Sequence, residues 1–282
     1  MAGTLCITST VLIQSRCSRE GDYEAPSLFT PQNLLREARR QKGLPEGRVP
    51  AICVFDPDGD LVDFLQAAGR TRRHPTWACY HTVLETFVQD ENEYGIIGRV
   101  VGAPFATLVA EELFASGCQL LISITSAGQI LPLGQPPYVI LIDKALRDEG
   151  TSYHYLPPAP YSCLDPALRE MVSAHWDRGL VSLYVGASWT TDAPFRETEA
   201  LIAQRRAEGI LAVEMEAAAL YAASQARQYQ IICFAHVTNQ MGQTEGILKR
   251  GRLREAKPLC LSLVRLLAPG DKERLNRHSQ AI

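Results

Sequence analysis

One short segment of the sequence has the composition of an anion-binding turn. Gly102-Ala103-Pro104 joins an apolar run to a helical stretch, and its proline falls near the first helical position, where a missing N–H is harmless. The unpaired backbone N–H groups at the start of such a helix attract anions. An ordinary strand-to-helix connection has the same composition, and the segment lacks the Lys and Ser/Thr of a Walker loop. The turn at Gly102 is therefore a candidate anion site that needs support from other residues.

A second segment places a carboxylate where a protein core is expected. The apolar residues of 213–227 predict a helix whose inner face carries Val213 and Leu220. Glu216 falls on that face, whereas Glu214 falls nearer the opposite edge. A carboxylate facing a core is costly unless it accepts hydrogen bonds. The hydroxyl groups of a polar ligand could donate them, and so could an arginine in a buried ion pair, so the pattern leaves both interpretations open.

Two further polar segments follow predicted strands. They are residues 147–158 (RDEGTSYHYLPP) and residues 190–198 (TTDAPFRET). Ligands bind at the carboxyl ends of strands in open α/β sheets, so both segments are candidate binding loops. Asp192 is suited to cap the following helix, and Arg196 and Glu197 offer donors and acceptors that match the edge of a heterocyclic base. A solvated loop and a surface salt bridge explain the same residues equally well.

These segments are positioned by an alternation of strands and helices. Near-continuous apolar runs, typical of strands covered on both faces, occur at 51–55, 82–88, 95–101, 119–125, 138–142, 180–186 and 231–237. Helical patterns occur at 104–116, 165–178, 196–207, 213–227 and 255–267. The alternation predicts an α/β fold, with a mixed, largely parallel sheet flanked by helices in a single domain. We expect an N-terminal extension at 1–50, the domain at 51–270 and a C-terminal tail at 271–282.

Composition narrows the classes of function. With 46% hydrophobic and 21% charged residues, the 282-residue chain can bury a core. Its 28 basic and 31 acidic residues give a net charge of −3, so no general positive field is available to hold nucleic acid or an anionic membrane. The sequence shows neither a membrane-spanning run of ~20 apolar residues nor a secretion signal, which predicts a cytoplasmic protein with reduced thiols. The histidines form no metal-binding motif, so we expect no metal.

The order of the polar segments along the chain is itself informative. From the N-terminus they are Gly102-Ala-Pro, Ala110-Glu-Glu-Leu, Ser126-Ala-Gly128, Arg147-Asp-Glu-Gly-Thr-Ser-Tyr-His-Tyr, Thr191-Asp192 and Glu214-Met-Glu216. This order resembles that of the nucleoside phosphorylases of the uridine and purine phosphorylase type. The resemblance runs from about Ala51 to Val237. Each segment alone is a weak signal, but their shared order makes chance a poor explanation.

The resemblance implies phosphorolysis, in which phosphate attacks the anomeric carbon of a nucleoside and yields ribose 1-phosphate and a free base. Such sites work by positioning and electrostatics, so phosphate is a co-substrate and no cofactor is expected. The family also implies a homo-oligomer, a trimer or a dimer-based hexamer, in which a neighbour reaches into each site. Residue by residue, the resemblance assigns the ribose to Glu216, Met215 and Ser126, the phosphate to Gly102 and Ser126, and the base to Phe195, Arg196 and Asn239.

The sequence departs from the family at the phosphate ligands. Family members carry Gly-Asp-Pro-x-Arg after the first core strand, whereas this chain has Phe55 and Gly59 at the glycine and arginine positions. A second family arginine is replaced by Ser123. Each lost charge-assisted hydrogen bond is worth about 1.5 to 3 kcal/mol. We expect Arg99, just before the Gly102 turn, to take over as a phosphate ligand.

The general acid for a purine is also absent. Purine phosphorylases and the related nucleosidases have an Asp after the last strand, whereas this chain has Thr238-Asn239-Gln240, and an amide cannot protonate a leaving base. This favours a uridine-like nucleoside. The favoured function is a phosphorylase with relocated phosphate ligands, for which Arg72 or Arg73 of a neighbouring subunit is an alternative to Arg99. A hydrolytic nucleosidase, with water in the phosphate position, and a non-catalytic nucleoside-binding protein are the alternatives.

Overall fold

The computed structural model describes residues 23–176 and 181–237. Asn239, the predicted helix at 255–267 and the predicted tail at 271–282 lie outside the described residues. The helices are α1 (Pro31–Lys42), α2 (Asp60–Ala67), α3 (Ala103–Ala115), α4 (Pro166–His175), α5 (Glu199–Ala207) and α6 (Ala217–Arg227). Short 3-10 turns lie at Ser152–His154 and Pro194–Arg196. Within the described residues, no helix is both long and apolar enough to cross a bilayer.

The strands form one mixed sheet. They are β1 (Ile52–Asp56), β2 (Thr71–Arg73), β3 (Glu85–Gln89), β4 (Asn92–Gly98), β5 (Leu120–Ser126), β6 (Gly128–Gln129), β7 (Tyr138–Asp148), β8 (Tyr161–Cys163), β9 (Leu183–Thr191), β10 (Ala212–Glu214) and β11 (Gln230–Val237). Their order is β2-β3-β4-β1-β5-β11-β7-β9-β10-β6, with β8 paired to β7. The neighbours β4, β1, β5 and β11 are parallel. The predicted α/β fold with helices around a largely parallel sheet is confirmed.

Some strand boundaries differ from the prediction. The runs at 82–88 and 95–101 were expected to be strands, and the strands found there are shifted to form the antiparallel pair β3 and β4. Asp90 and Glu91 turn between them with φ values of 47° and 63°. Polar residues on either side of this turn pair across the hairpin, so the strands extend beyond the apolar residues that predicted them.

A buried carboxylate stabilises the turn between β1 and α2 through hydrogen bonds to the start of the helix. All five residues of β1 are buried. Asp56, the last of them, accepts hydrogen bonds through Oδ2 from the N–H groups of Leu61 at 2.8 Å and Val62 at 2.9 Å. Gly59 precedes the helix with a φ of 80°, which favours glycine. This arrangement holds Asp58 above the carboxyl end of the sheet.

A short strand brings distant segments together at that same end. β5 passes almost directly into β6, and β6 pairs antiparallel with β10, so that Val213 lies opposite Gly128. The connection from β10 to α6 therefore lies next to the carboxyl end of β5. Glu216 follows three residues after Val213, the last residue of this pairing. The chain segments at 58, 126 and 216 thus meet although they are far apart in sequence.

The helix α1, which precedes the sheet in the chain, packs against α3 and against the segment at Ala78. Thr30 caps α1 by accepting a hydrogen bond from the Asn33 N–H, and Leu35 and Ala38 of α1 are buried against Ala78. This helix lies in the segment 1–50, which we predicted to be an extension. The division of the chain into an extension, a domain and a tail stays a prediction.

Candidate active site

The connection between β10 and α6 corrects the predicted helix at 213–227. Ala212–Glu214 is a strand, and the helix begins only at Ala217. Glu216 precedes it with φ −128° and ψ −39°, so this residue is not in the middle of a helix. Val213 is paired to Trp189 of β9 and also to β6, and pairing on both sides favours a strand. A short apolar run does not distinguish such a buried strand from a helix in the sequence.

Glu214 is buried, contrary to its predicted place near the opposite edge. Its side chain has four donors: the hydroxyls of Ser188 at 2.9 Å and Thr190 at 2.6 Å, and the N–H groups of Glu216 and Ala217, both at 2.7 Å. Hydrogen bonds of this kind favour the ionised carboxylate, as does the start of a helix. Glu214 therefore stabilises the start of α6 and fixes the backbone of Glu216.

Glu216 faces the interior and is 2% exposed. Its Oε1 accepts a hydrogen bond from the Gly102 N–H at 2.7 Å, and its Oε2 has a longer contact, 3.4 Å, with the Met215 N–H. Burial and the charge of Glu214 raise the pKa of Glu216 to about 8. Burial raises the pKa of Glu214 as well, but its four donors oppose that rise, so we expect a proton shared by the two carboxyl groups to lie on Glu216. Oε2 is the oxygen best placed to exchange its weak contact for a ligand hydroxyl.

Ser126, predicted to bind ribose and phosphate, holds a carboxylate of the protein. Its N–H donates to Asp58 Oδ2 at 2.8 Å, and its hydroxyl donates to Asp58 Oδ1 at 2.8 Å. The Asp58 side chain is exposed. Paired donors of this kind bind anionic oxygens, whether of a carboxylate or of a phosphate. The N–H and hydroxyl of Ser126 therefore form an anion subsite, and the Asp58 carboxylate occupies it.

The other predicted phosphate ligands also donate to carboxylates. The Gly102 N–H is bonded to Glu216, as described above. Arg99 Nη2 lies 2.7 Å from both side-chain oxygens of Asp63, and the Arg99 side chain is 62% exposed. Each of the three predicted phosphate ligands is therefore engaged by a carboxylate of this chain. Inorganic phosphate would have to displace these partners, against the repulsion of their negative charges.

The positions where the family has phosphate ligands are closed. Phe55 and Ser123 lie opposite each other on β1 and β5, and both are buried. Phe55 fills the space beside Ser123 with an aromatic ring. Gly59 is part of the turn before α2, and the Arg99 side chain lies against it. The cation beside the Gly59 position is therefore the guanidinium of Arg99, which is paired with Asp63.

The residues predicted to contact the base are only partly described. Phe195 and Arg196 lie in the 3-10 turn after β9, and both are exposed, Phe195 fully. The capping role predicted for Asp192 is wrong, because α5 is capped by the hydroxyl of Thr198. Asp192 instead accepts a hydrogen bond from the N–H of Gly150 at 3.0 Å. This bond joins the loop at 150 to the loop at 192.

The loop at 147–158 is ordered by its own side chains. Arg147 is 4% exposed, and it donates to the hydroxyl of Ser152 at 2.8 Å and to the carbonyl of Pro157 at 2.7 Å. Its guanidinium lies 4.3 Å from the ring centre of Tyr153. Glu149 accepts hydrogen bonds from two backbone N–H groups of the same loop. The charged residues of this candidate loop therefore act mainly on the loop itself.

Sequence reasoning missed one polar residue at the site, His236. It is 6% exposed, and its Cα is the partner of Ser126 in the parallel pairing of β11 with β5. Its Nε2 is buried and has no hydrogen-bond partner among the described residues. Burial lowers the pKa of His236, against the opposing charge of Asp58. A polar residue near the carboxyl end of an otherwise apolar strand was the signal that could have identified it.

Across residues 23–176 and 181–237, no three His, Cys, Asp or Glu side chains are grouped so as to hold a metal ion. Five cysteines in this part are free thiols, and all of them except Cys163 are buried. The polar groups at the strand ends are therefore carboxylates, a hydroxyl and an imidazole.

Carboxylates, a serine and a histidine lie at the carboxyl ends of parallel strands in this α/β protein, which is where open sheets of this class bind ligands. A family model described as the phosphorylase superfamily matches residues 51–264, which is more than half of the chain. The chain belongs to this superfamily, and the resemblance to nucleoside phosphorylases is confirmed. One curated relative is a guanosine phosphorylase of Halorubrum lacusprofundi, 27% identical over 189 residues that make up 63% of this chain and 73% of the relative.

Solved structures with the same fold include two different kinds of enzyme. A uridine phosphorylase of Vibrio fischeri superposes with a TM-score of 0.65 at 22% identity, covering 78% of this chain and 90% of that one. A 5′-methylthioadenosine/S-adenosyl homocysteine nucleosidase of Campylobacter jejuni superposes with a TM-score of 0.64 at 16% identity, covering 77% and 98%. At these identities the likeness is one of fold, and fold does not decide between the two reactions.

Proposed function

We propose that this protein cleaves the N-glycosidic bond of a nucleoside and transfers the sugar to water rather than to phosphate. The observation that carries the proposal is the pair of hydrogen bonds from Ser126 to Asp58. In the phosphorylases that the sequence resembles, the residue at the Ser126 position would contact phosphate. A carboxylate in that place repels phosphate, yet it can hold a water molecule and accept a proton from it.

The reaction can be written with named groups. A water molecule beside Asp58 attacks the anomeric carbon, and one of its protons passes to the Asp58 carboxylate. The bond from the anomeric carbon to the base nitrogen breaks, and its electron pair leaves with the base, which takes a proton from solvent. No covalent bond to the protein forms. The barrier is lowered because the water is held and oriented before it attacks.

Glu216 supplies the sugar contact in this proposal. Oε1 is held by the Gly102 N–H, so the side chain is already oriented when a nucleoside arrives. Oε2 then meets the ribose hydroxyls, with Met215 alongside. In the protonated form that its raised pKa favours, Glu216 donates one hydrogen bond and accepts others from the two neighbouring hydroxyls. The assignment of Met215 and Ser126 to the same sugar follows from the family resemblance.

Phosphorolysis is the second candidate, and one observation favours it. The N–H and hydroxyl of Ser126 converge on a single anion, as a phosphate subsite requires, and the exposed Asp58 could be displaced from them. The guanosine phosphorylase of Halorubrum lacusprofundi and the uridine phosphorylase of Vibrio fischeri are named for this reaction. In this candidate Arg99 leaves Asp63 and joins Gly102 and Ser126 around phosphate.

The proposal also concerns which base the nucleoside substrate carries. Asn239 and Gln240 stand where a purine enzyme would have an acid, which favours a uridine-like nucleoside with Phe195 and Arg196 on its base. The relative named for guanosine argues for including purines in any test. We therefore propose uridine first and guanosine second.

The experiment that tests the function is an assay of base release from uridine, guanosine, inosine and adenosine, each with and without phosphate. The hydrolytic proposal expects equal rates in both conditions for at least one nucleoside. Release that requires phosphate would select phosphorolysis instead. Saturable binding of a nucleoside without any release would mean that the protein is a binding protein. The variant Glu216→Ala serves as the inactive reference, and Glu199→Ala, on the exposed start of α5, serves as its matched control.

We also propose that the chain forms a homo-oligomer. Apolar side chains are exposed around the start of α3, namely Tyr80, Val83, Val101 and Leu108. Exposed apolar groups in such a cluster are typical of protein contacts. Light scattering during gel filtration should give a mass that is a multiple of 31.1 kDa. A mass of one chain at micromolar concentration would contradict this proposal.

A further inference from the structure

His236 and Ser126 present their side chains on the same face of the sheet. They are paired partners on the parallel strands β11 and β5, and paired residues on neighbouring strands point to the same side. The strands stay aligned beyond this pair, because the Ala127 N–H donates to the His236 carbonyl at 3.1 Å. Since Ser126 holds Asp58 through its hydroxyl, the imidazole and the Asp58 carboxylate lie on the same side of β5.

The imidazole has an unused hydrogen-bonding atom. Nε2 of His236 is buried, and no group in the described part of the chain bonds to it. Buried polar atoms in proteins are nearly always paired, so an unpaired one calls for a ligand or a water molecule as its partner. The residue is held mostly neutral by its burial, and a neutral imidazole has one nitrogen that accepts a hydrogen bond.

We propose that Nε2 of His236 accepts a hydrogen bond from the water molecule that attacks the sugar. This inference rests on the hydrolytic function proposed above. The water then has two acceptors from the protein: Asp58, which takes one proton as the new C–O bond forms, and His236, which holds the other hydrogen. That second hydrogen stays on the oxygen and becomes part of the new sugar hydroxyl. With both hydrogens engaged, a lone pair of the water is directed at the anomeric carbon.

The proposal makes His236 a catalytic residue that acts on water and not on the nucleoside. Replacing it should therefore change kcat and leave nucleoside affinity nearly unchanged. His236→Phe keeps a ring of similar size but removes the acceptor. His236→Gln restores a polar side chain that can accept a hydrogen bond at similar reach. His175→Phe, at the exposed end of α4, is a matched control for replacing a histidine with an apolar ring.

The experiment measures base release without phosphate, together with direct nucleoside binding, for the wild type and these three variants. We expect His236→Phe to lower kcat by roughly 10- to 100-fold, the range for one lost hydrogen bond at the reacting atoms. His236→Gln should recover at least a third of the loss on a logarithmic scale, and the Kd for the nucleoside should change less than about threefold. His175→Phe should match the wild type.

Three results would overturn the inference. A His236→Phe protein with unchanged kcat would show that the imidazole does not contact the water. A loss of binding equal to the loss of rate, unrelieved in His236→Gln, would show that the residue only supports the fold. Wild-type release that requires phosphate would remove the hydrolytic function itself, and with it the water. Because that last result is read from the wild type alone, failure of the function is distinguished from failure of the His236 assignment.

Discussion

The two halves of the candidate site both contain a carboxylate held by backbone N–H groups, but they differ in burial. On the sugar side, Glu214 and Glu216 are 3% and 2% exposed and are bound by the start of α6 and by Gly102. On the acceptor side, Asp58 is exposed and is held by a single residue, Ser126. The sugar side is therefore fixed by the fold, whereas the acceptor side can exchange its occupant.

This difference indicates where the chain has diverged from phosphorylases. The buried side depends on packing of β10, α6 and α3, and a change there would disturb the core. The exposed side depends on a turn after β1, where a substitution changes the chemistry at little cost to the fold. Of the family positions that differ in this chain, Gly59 lies in that turn, whereas Phe55 and Ser123 are buried on β1 and β5.

The largest effect is expected on the sugar side. Glu216→Ala removes the group that meets the ribose hydroxyls, and each hydroxyl left unpaired in a buried site costs about 1 to 3 kcal/mol. Two such hydroxyls correspond to a loss in kcat/KM of at least about 30-fold. Steady-state kinetics on the preferred nucleoside measures it. Activity within about threefold of the wild type would remove Glu216 from the sugar site.

A comparable loss of activity is expected on the acceptor side, but there added phosphate should restore part of it. Asp58→Ala removes the proton acceptor, so base release without phosphate should fall by about 100-fold, within the range for a general base. The same change frees both donors of Ser126, so added phosphate should partly restore the rate. Asp58→Asn is the control, because it also lacks a base but still fills the subsite. Equal responses of the two variants to phosphate would contradict the claim that the Asp58 side chain keeps phosphate away from the donors of Ser126.

Glu214 should govern stability more than chemistry. Glu214→Gln places an amide NH2 against the donors that the carboxylate accepts, so the free energy of unfolding should fall by about 2 to 3 kcal/mol. Ser188→Ala removes one donor only and should cost about 1 kcal/mol. Urea denaturation followed by circular dichroism gives both values. A Glu214→Gln protein as stable as the wild type would show that these hydrogen bonds do not stabilise the start of α6.

The raised pKa of Glu216 predicts a dependence of stability on pH. Its pKa is about 8 in the folded chain, against an ordinary value of 4.5. Between these values the folded state binds more protons than the unfolded state, so the contribution of Glu216 to the free energy of unfolding falls as pH rises from 4.5 to 8. Glu216→Gln should remove this part of the slope. If the free energy of unfolding depended on pH in the same way in the wild type and in Glu216→Gln, Glu216 would not be the group that binds the proton.

Arg99 should have the smallest effect. Its pairing with Asp63 is exposed, and pairs of this kind contribute about 0 to 1 kcal/mol. Arg99→Ala should therefore lower stability by less than 1 kcal/mol and leave phosphate-independent base release within about twofold of the wild type. A large rise in the phosphate concentration needed for activity would support the phosphorolytic candidate instead.

The fold was predictable because its core strands have apolar residues on both faces. β1 was predicted almost to the residue, since all its side chains are buried. β10 was not, because a three-residue strand followed at once by a helix has no period of its own. The prediction placed Glu216 inside a helix, whereas Glu216 lies just before one. Its burial was predicted correctly, but the burial of Glu214 was not, because helical spacing applied to a strand residue assigns it to the wrong face.

The acceptor side could not be predicted in the same way. Asp58 and Ser126 are 68 residues apart, and their contact depends on the parallel pairing of β1 with β5. The family resemblance identified the missing arginines and suggested Arg99 in their place, but it gave no sign that Asp58 would occupy the donors of Ser126. His236 lies on β11, the strand next to β5, and only the register of this pair places it beside Ser126. Contacts across a sheet require the strand order, which the sequence pattern does not contain.

The central claim is that a carboxylate of the chain stands where phosphorylases bind phosphate, so that water receives the sugar. The most direct test is to incubate the wild-type protein with its preferred nucleoside in excess phosphate and to identify the sugar product by mass spectrometry. The account predicts free ribose as the main product under these conditions. Ribose 1-phosphate as the main product would contradict it.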